Sequence, residues 1–400
     1  MSAIDFILTV TPCLSFKVQI FQVLHKETAS RARTGLLKTV HGEIVTPVFM
    51  PIGTQGSVRT ISNQELEDAG AQIILSNAYH LFLRPGETVI SAAGGLHHFM
   101  NWKKPILTDS GGFQIFSLAK LSKIKKEGVE FRSHIDGAKH FLSPEDVIRI
   151  QMTLGSDILM PLDECLKYPS EKGDAEKSLD LTREWALKSK KRWEEICRDG
   201  VGTTGRSPQL FGIVQGGTYP DLRKKAAKDL VELDFPGYSI GGLSVGEPND
   251  LMYEILSAAV AELPEDKPRY LMGVGMPLDL FEAVSQGVDM FDCVVPTRNG
   301  RNATVFTPGG TLLLRGASYT KDFKPIDEKC PCYTCRTHTR AYLRHLFNAE
   351  EYLANRLASL HNLTFFIQLL GSMRQAIGEN RFTEFRQSFE RNYNPGEHSK

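Results

Sequence analysis

Met290-Phe-Asp-Cys-Val-Val-Pro-Thr-Arg-Asn-Gly-Arg301 sets one carboxylate, Asp292, inside an apolar run. The run breaks at Pro296 into a loop with Arg298 and Arg301. An ionisable group amid Met, Phe and Val is costly to bury unless it is held and used. The stretch therefore reads as the end of a buried strand that delivers a reactive acid, followed by a loop suited to an anion.

Working backwards, the same grammar repeats. Short apolar runs occur at 47–52, 72–77, 105–109, 157–163, 210–215, 238–243 and 270–274, and 290–295 makes the eighth. Helical patterns lie between several of them, at 63–69, 144–153, 174–198, 219–232, 250–262 and 277–286. Apolar runs alternating with helices argue for parallel strands joined by crossover helices. Eight such units predict a (β/α)8 TIM barrel. A doubly wound sheet expects a phosphate-binding glycine fingerprint after its first strand, and Pro51-Ile-Gly-Thr-Gln-Gly-Ser57 is a weak version of one. Ahead of the barrel, 16–51 alternates around the His41-Gly42 turn and predicts an N-terminal antiparallel sheet.

In such a barrel the functional groups gather at the carboxyl ends of the strands. Those ends carry Asn77, Asp109, Asp163, Gln215, Gly241, Gly242, Gly273 and Asp292. Asp109-Ser-Gly-Gly-Phe113 by itself is a turn, and Asp163 or Glu164 by itself is a helix cap. Taken together they describe a purine pocket: a carboxylate for adjacent N–H donors, an amide and bare backbone for base acceptors, and a flat ring. Two acids with separate duties, Asp292 and Asp109, suit glycosidic-bond chemistry through a covalent intermediate.

Three of the seven cysteines cluster as Cys330-Pro-Cys332-Tyr-Thr-Cys335. With one imidazole they make a closed tetrahedral zinc site, structural in character. On spacing, His345 and His361 both qualify as fourth ligand, and His338 is too near Cys335. The scattered remaining cysteines do not form a disulfide framework, which suits a reducing compartment. Formal net charge is zero, yet 297–345 holds nine Lys or Arg against Asp322, Asp327 and Glu328. That local positive face fits a phosphate backbone. The apolar N-terminus lacks a basic n-region and is cut by Thr11 and Pro12, so it is a poor signal peptide. Without a membrane span, a cytoplasmic protein is expected.

With these motifs quoted, the chain from about residue 16 to about 386 resembles the bacterial type of queuine tRNA-ribosyltransferase, the tRNA-guanine transglycosylases. Thr46-Pro-Val-Phe-Met-Pro51, Thr108-Asp-Ser-Gly-Gly-Phe-Gln114, Gly212-Ile-Val-Gln-Gly-Gly217, Gly241-Gly-Leu-Ser-Val-Gly-Glu247 and the Asp292 and cysteine motifs carry the resemblance. It implies a (β/α)8 barrel with a C-terminal zinc-binding subdomain at about 310–380. It further implies exchange of guanine at the wobble position of tRNAs with a GUN anticodon for a 7-deazaguanine. By resemblance, Asp292 is the nucleophile and Asp109 the general acid/base. Asp109, Ser110, Gly111, Gly112, Phe113, Asp163, Cys165, Gln215, Gly242, Leu243, Glu247 and Met272 contact the base, which stacks between Phe113 and Met272. Phe113 stands where a tyrosine is common.

The stretches Gly273, Val274, Gly275, Met276, Pro277, Leu278, Asp279 and Thr297, Arg298, Asn299, Gly300, Arg301 match the RNA contacts. Cys330, Cys332, Cys335 and His361 match the ligands of one structural Zn2+ per chain, which decides between the histidines. Val245 and Cys165 favour the small aminomethyl base preQ1, with queuine the alternative. A homodimer is the family habit. Residues 1–15 form an extension and 387–400 a tail. A non-catalytic tRNA-binding subunit is disfavoured by the retained Asp109 and Asp292, and a zinc-dependent hydrolase by the closed ligand set.

Overall fold

The computed structural model describes residues 19–118, 122–199 and 207–394. The expected 1–15 extension, the strand start at 16–18 and the end of the expected tail lie outside the described residues. Three strands open the chain, β1 (Phe21–Lys26), β2 (Arg33–Thr39) and β3 (Gly42–Thr46), paired antiparallel in that order. The first begins later than the alternation at Phe16 suggested.

The barrel follows. Its first run is split by Pro51 into β4 (Val48–Met50) and β5 (Ile52–Gly53). Proline has no N–H to give a ladder, so a strand carrying it changes partners there. Then come β6 (Ile74–Asn77) and β7 (Ile106–Asp109). An antiparallel sheet of β8 (Ser122–Lys125), β9 (Gly128–Arg132) and β10 (Lys139–Leu142) interrupts the repeat. The barrel resumes with β11 (Ile158–Leu159), β12 (Gln209–Val214), β13 (Gly237–Ile240), β14 (Arg269–Leu271) and β15 (Met290–Asp292). All barrel pairings are parallel. β5 pairs with β6 while β4 pairs with β15, so the split first run joins both ends of the sheet. The eight predicted strands are all present.

Side chains alternate across each strand. Val48, Met50, Leu75, Leu107, Phe211, Ile213, Tyr270 and Met290 fill the barrel interior. Their neighbours Phe49, Ile74, Ile106, Leu210, Leu271 and Phe291 pack outward. Burial on both faces explains why these strands read as continuous apolar runs. Phe21, Leu37 and Ile44 join the interior cluster, so the N-terminal sheet plugs the amino end of the barrel. Two buried acids latch it there. Asp289 accepts from Arg33 Nε and Nη2 at 3.0 and 2.6 Å. Asp157 accepts from the His41 N–H at 2.8 Å, and each of its oxygens lies within 3.2 Å of a ring nitrogen of His41 or His97.

After β15, the helix Val295–Arg301 leads to a hairpin, β16 (Thr304–Thr307) and β17 (Gly310–Leu313), that the sequence reading did not anticipate. The helices Tyr333–Thr337, Arg340–Asn348 and Tyr352–Gly378 complete the metal-binding module. The last is buried on almost every side. Its Asn362 amide donates to the Pro296 and Thr304 carbonyls at 2.9 and 3.0 Å and accepts from Phe306 N–H at 3.0 Å. It thereby fixes the segment that follows Asp292, which is the helix Val295–Arg301 and not the loop expected from the sequence: Pro296 stands in its first turn, where its missing N–H costs nothing. No helix among the described residues is long and apolar enough to cross a membrane.

Candidate active site

Alternation along the strands dictates what meets at the carboxyl mouth. Asp292 shares the parity of Met290, Asp109 that of Leu107, Asn77 that of Leu75, and Gln215 that of Phe211 and Ile213. All four therefore turn inward, above the apolar plug of the barrel. They line one cavity of about 550 Å³, together with Ser110, Phe113, Asp163, Cys165, Gly242, Leu243, Val245, Tyr270 and Met272.

Asp292 is buried. Its Oδ1 accepts from the Tyr270 hydroxyl at 2.6 Å and the Gly273 N–H at 2.8 Å. Oδ2 has no hydrogen-bond donor among the described residues. Desolvation raises its pKa, and the two donors to Oδ1 oppose that rise. Asp109 accepts from Asn77 Nδ2 at 2.5 Å, Gln114 Nε2 at 3.2 Å and the Ala78 N–H at 3.1 Å. Desolvation, with a contribution from the Asp292 charge, pushes it up to about 7. Two acids thus occupy one cavity, one with a free oxygen and one poised to hold or yield a proton near neutrality.

Asp163 lies against the other wall. It accepts from Gln215 Nε2 at 2.7 Å and from Ser110 Oγ at 3.5 Å, and desolvation pushes it up to about 6. Phe113, 55% exposed, and Met272 also line the cavity, so a flat ligand between them has two apolar faces. Gly111 sits at φ 77°, and a Cβ there would meet Tyr79 Cβ at 2.7 Å. Gly112 lies behind the lining, its N–H bonded to Ser110 Oγ at 3.2 Å. Glu247 is buried behind the loop, accepting from the N–H groups of Ser244 and Val245.

Of the two stretches matched to RNA contacts, Gly273, Gly275, Met276, Asp279 and Arg298 border the cavity. Val274 is core, and Asp279 is held by Tyr253 Oη at 2.6 Å and Asn249 Nδ2 at 3.2 Å. Pro277 and Leu278 open the helix Pro277–Ser285. Thr297 and Gly300 are buried in the helix Val295–Arg301, Asn299 is partly exposed, and Arg301 is partly buried beside Arg298 and Arg59. None of these three guanidinium groups pairs with a carboxylate among the described residues.

Sequence reasoning missed Tyr270, Arg223 and Arg59 as site residues. Arg223 is fully buried in the helix Pro220–Glu232. A helical wheel could have flagged it, because Arg223 shares a face with Ala226, Ala227 and Leu230.

Away from the mouth, Cys330, Cys332, Cys335 and His361 are all buried, with ligand atoms within 4.8 Å of one another. Cys335 Sγ is 3.2 Å from His361 Nδ1. His361 Nε2 lies 2.7 Å from the Phe306 carbonyl, an acceptor only, so Nε2 carries the proton and Nδ1 faces the sulfurs with a free lone pair. The donor set fits a metal ion without rearrangement. The other predicted candidates, His338 and His345, are not in the cluster.

Comparison with known proteins points to one family. Residues 28–395 match the family model described as Queuine tRNA-ribosyltransferase. A protein of that name from Caldanaerobacter subterraneus subsp. tengcongensis is 57% identical over 373 residues, covering 93% of this chain and 97% of the relative. One from Moorella thermoacetica is 53% identical over 377 residues, covering 94% and 98%.

Proposed function

The chain belongs to the queuine tRNA-ribosyltransferase family, and on that premise we propose that its cavity exchanges guanine for a 7-deazaguanine through a covalent bond to Asp292. The carrying observation is that Asp292 and Asp109, from strands on different sides of the barrel, share one cavity while only Asp292 has an oxygen without a donor. The family assignment supplies the substrate, a tRNA, and the outcome, a step of queuosine synthesis.

The chemistry runs in two halves. Asp292 Oδ2 attacks C1′ of the wobble ribose, and the C1′–N9 bond breaks with its electron pair moving to the base. Asp109, holding a proton near neutrality, transfers it to the departing guanine. The incoming base then gives its N9 proton to Asp109 and attacks C1′, and the Asp292 carboxylate leaves. Tyr270 and the Gly273 N–H hold Oδ1 throughout, leaving Oδ2 aimed at the sugar. Asp163 accepts from the N1–H and 2-amino group of the purine, with Phe113 and Met272 on its faces. Cys165 and Val245 narrow the wall beside position 7, which supports preQ1 over the bulkier queuine.

The Cys3His cluster is read as a zinc site. Its sulfur-rich, closed donor set suits zinc, which would tie the helix Tyr352–Gly378 to the preceding module and take no part in the exchange. A homodimer is proposed with it, testable by sedimentation.

The deciding experiment is a denaturing gel of enzyme incubated with a GUN-anticodon tRNA. An adduct is expected with the native chain, with exchange of labelled guanine into the tRNA, and neither is expected for Asp292→Asn or Asp292→Ala. An adduct that persists in both variants refutes the nucleophile. Comparing kcat/KM for preQ1 and queuine settles the base.

A further inference from the structure

Four bonds from one buried side chain set the character of the cavity wall opposite Asp109. Arg223 Nε donates to the Gly217 carbonyl at 2.8 Å, and Nη1 to those of Val214 and Gly241 at 2.8 and 2.6 Å. Nη2 donates to the Gly242 carbonyl at 3.1 Å. The guanidinium is thus spent on backbone oxygens from the ends of β12 and β13, with no carboxylate in contact. Burying a cation this way is costly, and a neutral apolar side chain would pack more cheaply. Only a planar fork of donors reaches carbonyls on two loops at once.

A trans peptide holds its N–H opposite its C=O. With the carbonyls of 241 and 242 turned onto Arg223, the N–H groups of Gly242 and Leu243 point the other way. Both residues line the cavity, and neither N–H finds a protein acceptor among the described residues. The next two N–H groups, of Ser244 and Val245, are taken by Glu247. The wall therefore presents a pair of unused donors where it could have presented acceptors. Gly242, at φ 64°, packs without a Cβ against Gln215, whose amide in turn holds Asp163.

We infer that Arg223 is a positioning residue that turns the Gly241–Leu243 backbone so that its N–H pair selects a base bearing a carbonyl oxygen. This inference rests on the purine reading of the cavity. It divides recognition between Asp163, which accepts from the base, and the 242–243 backbone, which donates to it. It also assigns a task to a residue that never touches the ligand.

The test compares guanine with 6-thioguanine, which keeps N1–H and the 2-amino group but offers sulfur, a poorer acceptor. KM for each base and for tRNA is measured for the native enzyme, Arg223→Met and Arg223→Lys, with zinc content and thermal melting as folding controls. In Arg223→Met, KM for guanine should rise about tenfold, the worth of roughly one hydrogen bond. KM for tRNA should not change, and the preference for guanine over 6-thioguanine should fall towards one. If Arg223→Met does not fold, Arg223→Lys carries the test: it reaches fewer carbonyls, and the preference should fall part of the way. A folded variant that keeps the native preference, or that weakens tRNA as much as guanine, overturns the assignment. Asp163→Asn separates the two readings. If it leaves KM for guanine unchanged, the purine reading fails, whatever Arg223 does.

Discussion

Asp292 Oδ1 accepts from Tyr270 and from Gly273, and this division of labour between its two oxygens has a measurable consequence. Both donors favour the ionised carboxylate against a burial that opposes it. Tyr270 is itself pushed well above the usual phenol range, chiefly by burial and then by the Asp292 charge, so it remains a donor at any working pH. Removing its hydroxyl takes away a hydrogen bond to a charged group, about 1.5–3 kcal/mol. Without that bond the burial meets less opposition, and the pKa of Asp292 rises further. Only the deprotonated acid attacks, so a raised pKa leaves less of it at low pH. In Tyr270→Phe the acid limb of single-turnover adduct formation should therefore move to higher pH, with the rate on that limb lower by about tenfold or more. Well above the limb the rate should recover to within about tenfold of native. Rapid-quench adduct formation across pH checks it, and an unmoved limb would detach Tyr270 from the nucleophile. Asp292 was legible in the sequence because a carboxylate among Met, Phe and Val is rarely buried without a task, whereas Asp109 and Asp163 stood out only as members of the set at the strand ends. Tyr270 was not, since an aromatic in a strand reads as packing. Arg223 has two lysines beside it in sequence, and only its helical face, shared with Ala226, Ala227 and Leu230, hints at burial.

Among the elements, the eight barrel runs announced themselves by being apolar on both faces, while two insertions did not. The sheet β8–β10 is short and lysine-rich, with one face in water, and nothing in Ser122–Lys125 distinguishes it from a loop. The hairpin β16–β17 is written locally, around Pro308-Gly309-Gly310, and was passed over; what the local sequence does not show is that β16 is anchored by Asn362, far along the chain. Gly300 shows the same dependence. It was singled out as an RNA contact by resemblance, and the fold adds a packing reason for glycine there. A Cβ would lie 2.8 Å from Ser359 Cα and N, in the close crossing of Val295–Arg301 over Tyr352–Gly378. That partner is helix backbone and cannot step aside. Gly300→Ala should cost about 1–3 kcal/mol through overpacking. It should also displace Arg298 and the start of the helix Val295–Arg301 behind Asp292. Denaturant melts should show the loss, with guanine exchange falling in parallel, whereas the partly exposed neighbour, as Asn299→Ala, should stay within about 0.5 kcal/mol of native. A Gly300→Ala protein of native stability would mean that the helices can separate without loss.

Across the molecule the two ends of the barrel are built to opposite rules. At the plugged end Arg33 is answered by Asp289, and Asp157 by two histidines and two backbone N–H groups. At the mouth Arg59, Arg298 and Arg301 sit near one another with no carboxylate partner among the described residues, close enough that burial and the other two charges lower the pKa of Arg301. Like charges held together unneutralised in a chain of zero formal net charge call for an external anion. A tRNA backbone laid across the mouth supplies it and releases counterions, so binding should weaken as salt rises. Plotting log KM for tRNA against log salt concentration gives a slope set by the phosphates engaged. Arg59→Ala and Arg301→Ala should each flatten that slope by about 1 and together by about 2, with KM for guanine unchanged. Lys26→Ala, on β1 at the plugged end and already paired with Glu265, should leave the slope as it is. Arg59 is the sharper probe, because it lies outside both stretches that the sequence marks as RNA contacts and reaches the site only through the fold. If its removal leaves the slope untouched while Arg301→Ala lowers it, the RNA crosses on the side of the metal-binding module and not over the loop after β5.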